Sequence, residues 1–196
     1  MSGAWLREEQ AELAVDKILE AASRAFVALG VSRTRMGHIA KYAGCSRGTL
    51  YRYFKTRAEL DLAYIDRSAR LLSTRLEREL AGIEDPGERM LEGILMAVKA
   101  VRDSPDLAAW FDPLASGRAA QVSQGSRVIG TLSASFVRRV LESEDESPSG
   151  ELRARWMVRV IVSLLTMPGE NEDEERAIVE RYVVPNVLKP SESLAD

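Results

Sequence analysis

Residues 34–54, TRMGHIAKYAGCSRGTLYRYF, decide how this chain is read. Met36, Ile39, Ala40 and Ala43 recur at steps of three and four, the spacing of one buried helical stripe, and Thr34 stands where it can cap that helix. Gly44 is its stop, because glycine enters the left-handed region without steric cost. Ser46 is a natural N-cap for a second short helix, in which Leu50 and Phe54 share the inner face at i and i+4. Two short helices joined by a tight turn at Gly44-Cys45-Ser46 make a helix-turn-helix.

The outer face of the second helix carries Arg47, Thr49, Tyr51, Arg52 and Tyr53, where a helix that merely covers a core would carry Glu, Lys and Ala. In a helix-turn-helix the second helix enters the major groove of DNA and the first braces it. An arginine can bind guanine O6 and N7 together. Thr49 suits a thymine methyl or a phosphate, and the tyrosine hydroxyls and Lys55 suit phosphate oxygens. Gly48 leaves the backbone bare where it must approach the sugar-phosphate wall.

Charge distribution agrees. The net charge of −3 would discourage a nucleic-acid reading, but residues 1–57 hold ten Lys/Arg against five Asp/Glu, and residues 58–196 hold seventeen against twenty-five. A basic N-terminal quarter on an acidic body implies two modules with different partners, divided near residue 57. Cys45 is the single cysteine, so no intramolecular disulfide forms. With no secretory signal at the start, this points to a reducing, cytoplasmic setting. The longest nearly apolar run, 156–167, contains Arg159 and falls short of the roughly 20 residues a bilayer span needs.

Outward from the motif the pattern is helical throughout, and the expected class is all-α. Leu13, Ile18, Leu19, Ala22, Ala25, Phe26 and Leu29 place a first helix over 9–29, stopped by Gly30. Thr56 caps a long fourth helix that ends near Gly82. Asp85-Pro86-Gly87-Glu88 opens a fifth, and Ser104-Pro105 a short one holding Trp110 and Phe111. Residues 115–125 read as a loop or frayed helix, 126–143 as a helix and 144–150 as an acidic connector. Helices over 150–167 and 171–188 close the chain, the last kinked at Pro185.

The run DKILEAASRAFVALGVSRTRMGHIAKYAGCSRGTLYRYFKTRAEL, residues 16–60, closely resembles the N-terminal domain of the TetR family of transcriptional regulators. The matching pattern is IL-AA--F---G, then T---IA--AG-S-GTLY-YF, then K---EL. The resemblance implies a three-helix DNA-binding head, a linking fourth helix and an all-α body for ligand binding and dimerisation. It places DNA contacts at Thr34 and Arg35 on the bracing helix. On the recognition helix it places them at Ser46, Arg47, Gly48, Thr49, Tyr51, Arg52 and Tyr53, and at the turn beyond it at Lys55 and Arg57. One position departs: where the bracing helix often supplies a base-reading side chain stands Gly37, leaving Arg35 or His38 as substitutes. His38 has no cluster of metal ligands around it, and Cys45 takes a small, packed position.

The body shows no catalytic constellation, phosphate loop or metal spacing, so neither an enzyme nor a cofactor is expected. Met90, Ile94, Trp110, Phe111 and Phe136 are the candidates for an apolar effector pocket. Trp156, Val160, Leu164, Ile178 and Tyr182 are the candidates for a homodimer face, since 156–167 is apolar on more than one side. Two functions stay open: a homodimeric repressor of a palindromic operator released by a small apolar effector, and a DNA-binding regulator with no effector, controlled by a partner protein or by abundance.

Overall fold

The computed structural model describes residues 3–142 and 148–188, and every regular element among them is helical. Helix α1 (Gly3–Leu29) is stopped by Gly30 at φ 75°. It begins ahead of its apolar stripe, at Gly3 rather than at residue 9. Helices α2 (Met36–Tyr42) and α3 (Arg47–Tyr53) form the helix-turn-helix. Their turn is fixed by backbone hydrogen bonds: the Gly44 N–H donates to Lys41 O at 3.2 Å and the Cys45 N–H to Ala40 O at 3.0 Å. With Gly44 at φ 67° this pair makes a Schellman ending, and Cys45 packs half-buried against the head core. Ser46 caps α3 by accepting the Thr49 N–H at 3.0 Å.

Thr34 does not cap α2. Arg35 holds the cap position, and the Thr34 hydroxyl turns inward to donate to the carbonyls of Gly30 at 2.7 Å and Ala25 at 3.2 Å. The cap site instead closes through His38, whose Nδ1 accepts the Arg35 N–H at 3.3 Å.

Helix α4 (Arg57–Glu79), capped by Thr56, runs from head to body. The body is built from α5 (Pro86–Arg102), α6 (Pro105–Ala108), α7 (Ser116–Gly125), α8 (Arg127–Val140) and α9 (Pro148–Thr166). After it comes α10 (Glu172–Ile178), which passes through a π-helical turn (Val179–Val183) into α11 (Val184–Leu188). The stretch expected as a loop or frayed helix, 115–125, is helical over Ser116–Gly125. Its small residues let it lie close to its neighbours, and Ala115 and Ala119 are buried. The connector expected over 144–150 falls partly outside the described residues, and its described part, 148–150, opens α9. The kink expected at Pro185 takes the form of the π turn just before it. Proline has no N–H for the carbonyl four residues back, and one wide turn absorbs the mismatch.

Two cores form. The head core joins Ile18, Leu19, Phe26, Ile39, Leu50 and Phe54 to Leu60 and Tyr64 of α4, and is completed by Trp110, Ala115 and Ala119 from the body. Phe26 meets Tyr64 and Trp110 edge-on, with centroids 5.0 and 5.4 Å away. The body core packs α5, α8, α9 and the last helices around Met90, Ile94, Val137, Met157 and Val179.

At the far end of the body Arg102 donates to both carboxylate oxygens of Glu175 at 2.7 Å and to Leu164 O at 2.9 Å, while Glu175 also accepts the Gly169 N–H. The Arg102 bonds hold the Glu175 carboxyl below its usual range, against the opposing push of burial. A depressed carboxyl contributes stability above its unfolded value and loses it as pH falls through the folded one. Arg102 is about a third exposed, so solvent screens the pair. Glu175→Gln should therefore cost about 1 kcal/mol at pH 7. In urea titrations, the gap from the native chain should narrow as pH drops below the ordinary carboxyl value of 4.5.

Candidate nucleic-acid interface and body cavity

The inward residues of α2 and α3 set what points outward. With Met36, Ile39, Ala40 and Leu50 in the core, Arg35, Ser46, Arg47, Gly48, Tyr51, Arg52 and Lys55 are exposed on one side of the head. Tyr51 stands 45% exposed. Tyr53 is half-buried against the head core, and the Arg52 guanidinium lies over its ring at 5.3 Å. Thr49 is half-buried, with its hydroxyl 3.0 Å from Ser46 Oγ. This face offers guanidinium, ammonium and hydroxyl donors on the outer side of a short helix whose inner side, at Leu50, is held in the head core, the chemistry a phosphate backbone and base edges require.

Two expected contacts leave the face. Thr34 is 3% exposed with its hydroxyl satisfied internally. Arg57 is a strut rather than a clamp. Its guanidinium donates to Asp61 Oδ1 at 2.6 Å, to the carbonyl of Thr34 and to that of Val31 at 3.4 Å, and it covers the Phe26 ring at 5.1 Å. Burial pushes the Asp61 carboxyl up while Arg57 pulls it down. The pair ties the start of α4, just beyond α3, to the loop before α2.

The body holds a half-open cavity of about 190 Å³ between α4, α5, α7, α8 and α9. Its wall is mainly apolar, with Leu72 and Leu76 from α4, Ile129 and Leu132 from α8, and Ile161 and Leu165 from α9. Of the expected lining residues Phe111 and Phe136 reach it. Met90 and Ile94 do not: they lie on the side of α5 that is fully buried in the body core, whereas Gly93, Ala97 and Val101 face the cavity. A Cβ on Gly93 would stand 2.5 Å from the Phe136 ring, so glycine there lets that ring lie against α5. Trp110 belongs to the head core. The missed lining of α4 had a signal, Leu72 and Leu76 at i and i+4, but it reads equally as plain core.

The expected dimer residues divide in the same way. Val160 and Leu164 are buried in their own body core, while Trp156, Ile178 and Tyr182 are 47%, 37% and 66% exposed. Leu152 on α9 and Met167 just beyond its end are exposed as well. Trp156 and Val160 lie only 40° apart around the helix, so the boundary between inward and outward runs between them.

A model of the family described as bacterial regulatory proteins, tetR family, matches residues 18–64. An uncharacterised HTH-type transcriptional regulator of Mycobacterium tuberculosis, Rv1255c, is 41% identical over 187 residues, covering 95% of this chain and 92% of the relative. The chain belongs to the TetR family. It is therefore a DNA-binding transcriptional regulator. Among solved structures, RolR in complex with resorcinol aligns with a TM-score of 0.70 at 18% identity, covering 96% of this chain and 98% of that one. Thermus thermophilus FadR in complex with lauroyl-CoA aligns at 0.62 and 20%, covering 93% and 98%. At such identities the likeness is one of fold. Among the described residues of this TetR-family chain no helix is long and apolar enough to cross a membrane.

Arg57→Ala strands the Asp61 carboxylate, 1% exposed, with only Arg118 at 3.7 Å. This should cost about 3 kcal/mol, or about 6–12 °C in Tm. Gly48→Ala should behave oppositely. Its Cβ would meet only Ser46 Oγ at 3.7 Å, so thermal scans should show an unchanged or raised Tm, while gel shifts show weakened DNA binding.

Proposed function

We propose that the chain is a homodimeric repressor, residues 1–57 reading a palindromic operator and residues 58–196 pairing two copies and sensing a small, mainly apolar effector. The observation that carries this reading is the place of α6. Leu107 and Phe111, in and just beyond this element, line the cavity. Asp106 and Trp110, from the same stretch, hold the head. A molecule entering the cavity presses on one side of α6 and α4, and the head is fastened to the other. Moving the heads takes the two recognition helices out of register with major grooves about 34 Å apart. By linkage, operator then weakens effector binding by the same factor.

The wall supports an uncharged ligand. Ser68 donates to Tyr64 O, Ser73 to Glu77, and Glu77 is paired with Arg139 at 2.8 Å, so the one acid in the wall is already neutralised, and the Ser123 and Ser133 hydroxyls are the neutral polar groups left for a ligand. An apolar cavity of about 150 Å³ holds benzene, so this one suits a single substituted ring or a short alkyl chain. The resorcinol held by RolR is of that scale. The exposed apolar residues Leu152 and Trp156 on α9, Met167 just beyond it, and Ile178 and Tyr182 near the end of the chain support the pairing face. A cytoplasmic location follows from the work on DNA.

Selection of bound duplexes from a random pool tests the reading, and a palindromic consensus is expected. An asymmetric or absent consensus counts against dimeric recognition. Trp156→Glu should shift sedimentation toward monomer and weaken operator binding at least tenfold. In a thermal-shift screen of small phenols and alcohols, ligands that raise Tm should also release operator. Ala69→Phe, which fills the cavity wall, should abolish that shift and leave operator binding in place.

A further inference from the structure

The guanidinium of Arg47 lies against the bare backbone of Gly37. A Cβ on Gly37 would stand 2.8 Å from Nη2, 2.9 Å from Nε and 3.1 Å from Cζ of Arg47. Gly37 is the second residue of α2 and Arg47 the first of α3, so this side chain reaches across the turn from the recognition helix to its brace. The backbone does not call for glycine here, since the glycines with positive φ are Gly30 and Gly44. Inside a helix glycine is less favourable than alanine. Of the head glycines 30, 37, 44 and 48, only Gly37 would bring a Cβ within 3.4 Å of another group.

Arg47 is exposed, and among the described residues no carboxylate pairs with it. It lies near the N-terminal end of α2, where the helix dipole is positive and offers a cation no attraction. The seat is thus one of shape, made by the Nε–Nη2 side of the guanidinium, and among the described residues no hydrogen bond uses its donors, which leaves the Nη1 side to reach an acceptor outside the protein.

We propose that Gly37 is a positioning residue for base recognition. By carrying no side chain it seats the Arg47 guanidinium on α2, so an arginine from α3 reads the base pair at the α2 edge of each half-site, where position 37 offers no side chain of its own. This rests on the reading of α3 as the groove helix. The seat acts in two ways: it removes rotamers that Arg47 would otherwise lose on binding, and it aims the fork at one base pair, where a bidentate contact to guanine is the commonest specific one.

The test uses the full chain as native protein, Gly37→Ala, Arg47→Ala and the double variant. Each is passed through selection from a random-core duplex pool, and affinities are then measured on the native consensus. Gly37→Ala should keep or raise Tm, since the only atoms it displaces are the end of a flexible side chain. It should lose about two- to tenfold in affinity and relax preference at one symmetric base-pair position. Arg47→Ala should lose preference at that same position, and Gly37→Ala should add nothing in the Arg47→Ala background. Unchanged affinity and consensus in Gly37→Ala would overturn the proposal, as would a full loss that persists without Arg47, which would place the effect on the α2 backbone. If native protein selects no consensus, the groove-helix reading itself fails, and all four proteins behave alike.

Discussion

The carboxylate of Asp106 gathers three hydroxyls from three parts of the chain. Ser23 of α1 donates to it at 2.7 Å, Tyr64 of α4 at 2.6 Å, and Ser104 from the turn before α6. Burial works to raise the Asp106 carboxyl, but the three bonds outweigh it and hold the group ionised below its usual range. The same arrangement pushes the Tyr64 phenol well above its ordinary value, chiefly through burial and then through its bond to Asp106. Hydrogen bonds to an ionised acceptor are roughly twice as strong as neutral ones. They matter here because α6 has four residues and no stability of its own. The position of the DNA-reading head relative to the body depends on this junction.

Around it the head borrows part of its core from the body. Trp110 stacks on Tyr64 at 5.9 Å and meets Phe26 edge-on, so the aromatic centre of the head is closed by a residue that lies far along the chain. The Trp110 indole N–H is buried without a partner among the described residues, a cost of about 1–3 kcal/mol that leaves the contact weaker than its packing alone would make it. Ser32 adds a further tie, donating to Leu114 O at 2.7 Å. The head is thus held to the body by a few directed contacts and shared aromatics, over a body core that closes separately.

The head was legible because each of its signals is local. The Gly44 turn, the Ser46 cap and the Leu50/Phe54 stripe depend on neighbours within a few residues, and each stands in the structure as the pattern implied. The misreadings in the head are the two side chains whose partners are distant. Arg57 reads as a free cation until Asp61 and the Thr34 carbonyl are brought to it, and Thr34 reads as a surface cap until α1 presents Ala25 O. In the body the difficulty was different. Met90 and Gly93 sit on one helix, and nothing in their spacing says which faces the core and which the cavity. Val160 and Trp156 are one turn apart and point to opposite fates for the same reason.

By itself the sequence determined the all-α class, the family, and the two helices of the helix-turn-helix with the turn between them, because periodicity, caps and glycine stops act over one or two turns. Only the tertiary structure decided which cations face outward, which apolar residues line a cavity, and how α6 fastens head to body. Those depend on side chains meeting across tens of residues, and a helix with two apolar faces carries no mark of which neighbour will cover each.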